Sequence, residues 1–181
     1  KYVQRLSDTG TRGRELFQSL MTNGSRFTHH TSIAPTGTIS LSLANNVSNG
    51  IEPTFAHAYS RNIIRPGKKT KEKVDVLSYE YLAYKEYINP EATVDDLPDY
   101  FVTSEDISPM AHIEVQAAAQ KWIDSSISKT ANVPTDYPFE DFKSIYMTAA
   151  EKGLKGCTTF RFNPEAFQGV LVKEDDLENT V

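Results

Sequence analysis

The sequence predicts an α/β fold with parallel strands, on three observations. Helical runs and short β-prone runs alternate along the chain, the order that builds a parallel sheet with crossover helices. The stretch Ser32-Ile33-Ala34-Pro35-Thr36-Gly37-Thr38-Ile39-Ser40 reads as a short buried strand, a tight turn and a helix start. A length of 181 residues, 39% hydrophobic and 24% charged, is enough for one domain with its own core. Roughly three or four strands are evident, too few to close a barrel. The chain therefore reads as an open sheet, or as part of a barrel whose remainder lies elsewhere.

Taken in order, Lys1 to Asn23 reads as a helix. Leu16, Phe17, Leu20 and Met21, with Arg14, set a stripe near helical spacing, and Asn23-Gly24 stops it. Gly24 to Ala34 is a loop entering a strand. In the turn that follows, Pro35 fixes one backbone angle, Gly37 turns without steric cost, and Thr38 is the expected helix N-cap. The first N–H groups of a helix suit an anionic group such as a phosphate; a plain connection with no ligand is the alternative. Thr38 to Ala44 reads as a short helix, and Asn45 to Gly50 as a loop of turn formers. Gly50-Ile51-Glu52-Pro53 has no regular period and is expected to form a wall beside the turn.

Tyr59 to Arg65 alternates as a strand does, and Pro66-Gly67 ends it. Val74 to Tyr87 reads as a helix, and Thr93 to Phe101 as a small acidic excursion. Ser108-Pro109 is a strong helix start, followed by His112 to Ile123 with its run of alanines. Asp124 to Pro134 is polar and extended. Pro138 opens a helix with Phe139, Phe142, Ile145, Tyr146 and Ala149 on one face, closed by Gly153. Leu154 to Phe162 is β-prone. The acidic end is expected to fray, which divides the chain into 1–168 and a tail over 169–181.

The net charge of −5 argues against a general nucleic-acid partner, and the basic run Arg65 to Lys73 reads as a solvated loop. No apolar run approaches the roughly 20 residues of a membrane span, so no membrane partner is expected. The single Cys157 excludes an internal disulfide framework and suggests a reducing, cytoplasmic compartment. His29 and His30 are adjacent, while His57 and His112 stand alone; none has zinc-ligand spacing, so no metal site is expected. Glu52 reads as a functional carboxylate or as a cap or ion-pair partner, with the structural role favoured. Ser126, Ser128, Lys129 and Thr130 offer hydroxyls and a cation that would meet an anionic ligand, or else form a solvated strand edge. Cys157, in an apolar run, is expected to be a buried structural thiol.

Four separated motifs together resemble ribonucleotide reductase of the adenosylcobalamin-dependent class, class II. They are Thr31 to Ser40, Gly50-Ile51-Glu52-Pro53, Ser126-Ile127-Ser128-Lys129-Thr130 with Asn132, and Gly153-Leu154-Lys155-Gly156-Cys157-Thr158-Thr159-Phe160-Arg161. The resemblance runs from about Arg12 to Pro164 and maps to the C-terminal portion of the family's ten-stranded α/β barrel. It implies reduction of ribonucleotides to deoxyribonucleotides by radical chemistry. It assigns the substrate's phosphates to Ser32, Pro35, Thr36, Gly37, Thr38, Ile39 and Ser40, and leaves Glu52, Ser128 and Lys129 as site wall. Aerobic relatives that import a radical carry a tyrosine pair near the stretch matching Lys155 to Arg161. Thr158, Thr159 and Phe160 stand here instead, which fits the cobalamin class.

The same resemblance implies a radical cysteine and reducing cysteines that one cysteine cannot supply, and Cys157 matches none of them. No catalytic residue is therefore expected on this chain. The expected partners are a larger reductase chain or segment carrying those cysteines, a ribonucleotide and an external dithiol reductant, with adenosylcobalamin bound by the assembled enzyme. The alternatives are a non-catalytic subunit that stabilises the larger chain through its Ala117–Trp122 face, and part of a radical-relay (class I) reductase. Alone, the chain is expected to expose strand edges and apolar patches and to self-associate.

Overall fold

The computed structural model describes residues 2–42, 49–67, 69–161 and 171–172. The end of the helix expected over Thr38–Ala44, the loop Asn45–Ser48, Lys68, Phe162 and the boundary at 168 lie outside them. Among the described residues no helix is long and apolar enough to cross a membrane.

The N-terminal helix is two pieces rather than one. α1 (Tyr2–Arg5) runs into a 3-10 turn at Leu6–Thr9, and Gly10, at φ 96°, separates it from α2 (Thr11–Asn23). Gly24 ends α2, its N–H bonding Leu20 O at 2.9 Å. The stripe on α2 is only partly covered: Phe17 and Leu20 are half-buried, while Leu16 is 49% and Met21 69% exposed.

The central feature is a parallel sheet. Residues 31–33 run beside 125–128 through Ser125 N–H to Thr31 O (2.8 Å), Ile33 N–H to Ser126 O (3.3 Å) and Ser128 N–H to Ile33 O (2.9 Å). The middle segment continues as β3 (Thr130–Val133), which pairs in parallel with β4 (Thr158–Arg161), Thr130 opposite Thr158. The buried strand expected at Ser32–Ala34 is thus a single bridge. Ile33 is half-buried while Ser32 and Ala34 are exposed, because only one neighbour flanks it. α5 (Pro109–Gln120) and α6 (Phe139–Glu151) cover the other side of β3, and Ile113, Ala131, Val133, Ile145 and Ala149 form the core. Ser108 caps α5, its Oγ accepting from Ala111 N at 3.2 Å, with Pro109 in the first turn. α5 stops at Gln120, short of the expected Ile123, because the Gln120 amide donates to Ile123 O and Ser125 O and folds the chain back. Trp122 therefore lies outside the helix, 52% exposed.

The expectation of parallel strands alone fails in the middle of the chain. β1 (Ala58–Ile63) and β2 (Glu72–Leu77) form an antiparallel hairpin, joined on the far side of β1 by β5 (Leu171–Val172), a pair of residues inside the expected tail. The helix expected over Val74–Tyr87 splits. Val74 and Val76 alternate with Lys73 and Asp75, which suits a strand once β1 is alongside. Buried Ser78 then accepts from Tyr81 N and starts α4 (Tyr79–Tyr87).

Candidate functional site

The turn at Pro35–Gly37 leaves the C-terminal end of the bridged segment, where open α/β sheets hold ligands. α3 is described over Gly37–Ser42, so its N-cap is Thr36 rather than the expected Thr38. Ser40 N–H closes the first helical bond to Thr36 O at 3.0 Å, which withdraws that amide from any ligand. Ser40 Oγ is also engaged, 3.0 Å from Gly37 O and 2.8 Å from Asn49 Oδ1, and the residue is buried. Pro35, Thr38 and Ile39 are exposed on the outer side of the turn. Thr36 sits at φ 51°, a conformation a β-branched residue adopts only under compensation. The compensation is visible: Gly50 N–H donates to Thr36 Oγ1 at 2.8 Å.

The wall loop is fastened to this turn. Gly50 has φ 61°, and a side chain there would meet Ala34 O at 2.8 Å, so only glycine lets the two backbones approach. Glu52 N–H bonds Asn49 O at 3.0 Å, and Glu52 Oε1 accepts from Thr130 N at 2.7 Å. The chain at 31–33 has turned away by that level of the sheet, and the Glu52 carboxylate takes the place of the missing strand neighbour. The structural role expected for Glu52 is a helix cap or ion-pair partner, and the bond here goes to a strand N–H instead.

Lys129 is not on a solvated edge. Its phase along the strand, shared with Ile127 and Ala131, turns it towards α5, and it is 3% exposed. Its Nζ donates to His112 Nδ1 at 2.6 Å and to Thr130 O. An ammonium donor requires Nδ1 to accept, so the His112 proton sits on Nε2, which donates to Ser104 O at 3.0 Å. Burial, then the Lys129 charge, holds His112 below the usual imidazole value. Burial lowers Lys129, with Glu52 and Cys157 opposing. Cys157 is half-buried rather than buried as expected, and what burial it has raises its thiol against the opposing Lys129 charge. Asn132 Nδ2 donates to Ser104 Oγ at 3.0 Å, and Ser104 N–H to Thr54 O at 2.8 Å. A continuous set of hydrogen bonds thus runs from β3 through His112 and Ser104 back to the wall loop.

The structure brings Thr36, Gly37, Ser40, Glu52 and the backbone at Ser128 and Thr130 together, and turns the Lys129 side chain to α5, still within the field of the Glu52 carboxylate. Sequence reasoning missed Ser104 and Asn49, and gave no role to His112. Only the even spacing of buried Ile127, Lys129 and Ala131 could have signalled that the lysine faces a helix. No group of three or more His, Cys, Asp or Glu side chains that could hold a metal occurs among the described residues.

Comparison with known proteins agrees on the family. The sequence matches the family described as ribonucleotide reductase, barrel domain, over residues 2–160. It is 34% identical over 144 residues to the vitamin B12-dependent ribonucleoside-diphosphate reductase of Mycobacterium tuberculosis, covering 73% of this chain and 20% of that protein. It is 32% identical over 151 residues to the protein of the same name from Thermoplasma acidophilum, covering 76% and 19%. The chain therefore spans about a fifth of the length of these relatives. Its fold resembles that of the Actinobacillus ureae class Id ribonucleotide reductase alpha subunit (TM-score 0.57, 21% identity, 89% of this chain and 34% of that one). It also resembles that of a B12-dependent, class II ribonucleotide reductase (TM-score 0.55, 12% identity, 97% and 26%). A partial α/β barrel, matched over nearly its whole described length by sequence and by fold, places this chain in the ribonucleotide reductase barrel-domain family.

Proposed function

We propose that this chain forms the C-terminal part of the barrel of an adenosylcobalamin-dependent ribonucleotide reductase and supplies its substrate-phosphate turn and closing strands. The observation that carries the reading is the turn itself. Thr36 is held at positive φ by the wall loop, and the helix start at Gly37 and Thr38 follows the C-terminal end of a segment bridged in parallel to 125–128. The Gly37 and Thr38 backbone N–H groups, with the Thr38 hydroxyl, bind the phosphates. Ser40, Asn49 and Gly50 hold the turn in shape, Glu52 and the Ser128 backbone brace it, and Lys129 acts from behind the sheet.

The radical and reducing cysteines lie on another chain or segment, since Cys157 is the only cysteine here and its thiol is raised by burial. A ribonucleotide is the substrate, and an external dithiol returns the cysteines to the reduced state. A cobalamin carries its cobalt in its own ring and needs no metal cluster from these residues. When bound it supplies the radical. A single cysteine fits a reducing, cytoplasmic setting.

The test is made in the assembled enzyme with adenosylcobalamin present. Thr38→Val is expected to weaken ribonucleotide binding by about 1–3 kcal/mol with the fold unchanged. Unchanged affinity would remove the phosphate role, and full turnover without adenosylcobalamin would remove the class.

A further inference from the structure

The bonds around Lys129 close into a circuit that includes the wall loop. Glu52 Oε1 accepts from Thr130 N–H at 2.7 Å, and Lys129 Nζ donates to Thr130 O. A carboxylate and an ammonium thus grip one residue of β3 by its two main-chain groups. From the same Nζ a second bond reaches His112 Nδ1 at 2.6 Å, and His112 Nε2 donates to Ser104 O at 3.0 Å. Ser104 N–H then donates to Thr54 O at 2.8 Å. Thr54 follows Glu52 by two residues, so the chain itself closes the circuit. Gly50, on the other side of Glu52, is bonded to Thr36 Oγ1 in the turn.

Packing alone does not call for a lysine at this place. The residue is 3% exposed, an ammonium is costly to bury, and an apolar side chain of similar length would fill the space between β3 and α5 without that cost. Nζ can only donate, and two of its three bonds go to members of the circuit. Besides each other, the ionisable groups that bear on Lys129 and His112 are Glu52 and Cys157. Of these, the carboxylate stands on the wall loop and not on the sheet or on α5. The circuit also closes in one arrangement of protons. His112 must be neutral with its proton on Nε2, since a second proton would aim an N–H at the ammonium.

From this circuit we infer that Lys129 is a positioning residue for the turn. Its charge draws the Glu52 carboxylate and its two bonds complete the circuit, so that the wall loop is fixed at Glu52 and at Thr54 and holds Thr36 in place. Lys129 acts through the wall loop rather than on a ligand. The inference rests on the substrate reading above only for what the turn binds.

Amide exchange of the 181-residue chain is followed by NMR in Lys129→Met, in Glu52→Gln and in the double variant. Lys129→Met is expected to raise exchange at the Gly50, Ser104 and Thr130 amides about ten-fold while the α6 amides keep their rates. Glu52→Gln keeps an oxygen for Thr130 N–H and removes the charge, and is expected to raise the same amides by less. The double variant is expected to add little to Lys129→Met, because a circuit opened once is not opened again. The His112 imidazole C–H signals are expected to titrate at higher pH in Lys129→Met, since after burial the ammonium is what holds that group low. A lysine standing apart from the circuit would leave that midpoint unmoved. The proposal is overturned by unchanged exchange at Gly50 and Ser104, by a rise shared equally by α6, by additive effects of the two variants, or by a His112 midpoint that does not rise. Pyrophosphate, followed at the Gly37 and Thr38 amides of the unaltered chain, tests the substrate reading separately. No response there, with Gly50 and Ser104 behaving as expected in the variants, removes the phosphate role of the turn and supports the positioning role of Lys129.

Discussion

The parallel sheet around β3 and the antiparallel hairpin of β1 and β2 flank the same wall loop and are held together by different means. Around β3 a five-residue apolar core, with Ile113 and Ile145 0% exposed beside Ala131, Val133 and Ala149, adjoins buried His112, Gln116 and Lys129 and their hydrogen bonds. Around β1 the apolar cluster is Ala56, Tyr59 and Val76, with Phe55 partly buried against it. Much of what is buried there is polar, namely His57, Ser60 and Ser78, tied by hydrogen bonds to one another's strands and to α4. Directional bonds act in both regions, and the first adds a larger apolar core to them. The Gly50–Thr54 loop, strung between them, takes its position from both.

The sharpest break of that contrast is by truncation. Ile145→Ala, in the tighter core, is expected to cost about 2–5 kcal/mol in urea unfolding. Val76→Ala in the hairpin removes less apolar surface among polar neighbours and is expected to cost about 1–2 kcal/mol. Equal losses would erase the distinction. Next in size is the joint between the regions. Gly50→Ala forces a side chain towards Ala34 O at positive φ and is expected to cost about 1–3 kcal/mol. The accompanying rise in amide exchange should fall on the turn, and exchange unchanged at Thr36 to Ser40 would show the loop does not fasten it.

The smallest effect is electrostatic. His112 is held below the ordinary imidazole value by burial and by Lys129, so the unfolded chain takes up a proton that the folded chain refuses. Stability from this group is complete above about pH 6.5 and declines as the pH falls below it. In His112→Gln the decline over that window should shrink, as read by denaturation midpoints at pH 7 and pH 5.5. An identical decline would assign the acid sensitivity to other groups.

Local signals carried well from sequence to structure. Ser108-Pro109, Pro138 and Gly153 mark helix ends through bonds and angles set within a few residues, and all stand where expected. The turn at Pro35–Gly37 was legible for the same reason, although the cap falls on Thr36. The failures are positions decided by distant partners. Val74 to Leu77 fits either a helix or a strand until β1 supplies a ladder. Lys129 faces α5 only because the core residues on either side of it set the strand's phase. The Glu52 carboxylate completes a strand edge that forms 78 residues away.

The hairpin also carries its own check against misalignment. Residues 64–71 separate β1 from β2, too long a connection for the turn to dictate alignment. Cross-strand chemistry does it instead. Ser60 Oγ donates to Asp75 Oδ1 directly opposite at 3.0 Å, and the Arg65 fork grips Glu72 at 2.7 and 2.9 Å. A slip by one residue would set Ser60 against Val74 or Val76 and turn every side chain of β2 to the wrong face. The observed alignment satisfies both marks, and a slip would leave the buried Ser60 hydroxyl without Asp75. His57 and Ser78, joined by Ser78 N–H to His57 O at 2.8 Å, thus stand opposite each other through side-chain pairing along the strands rather than through the geometry of a turn.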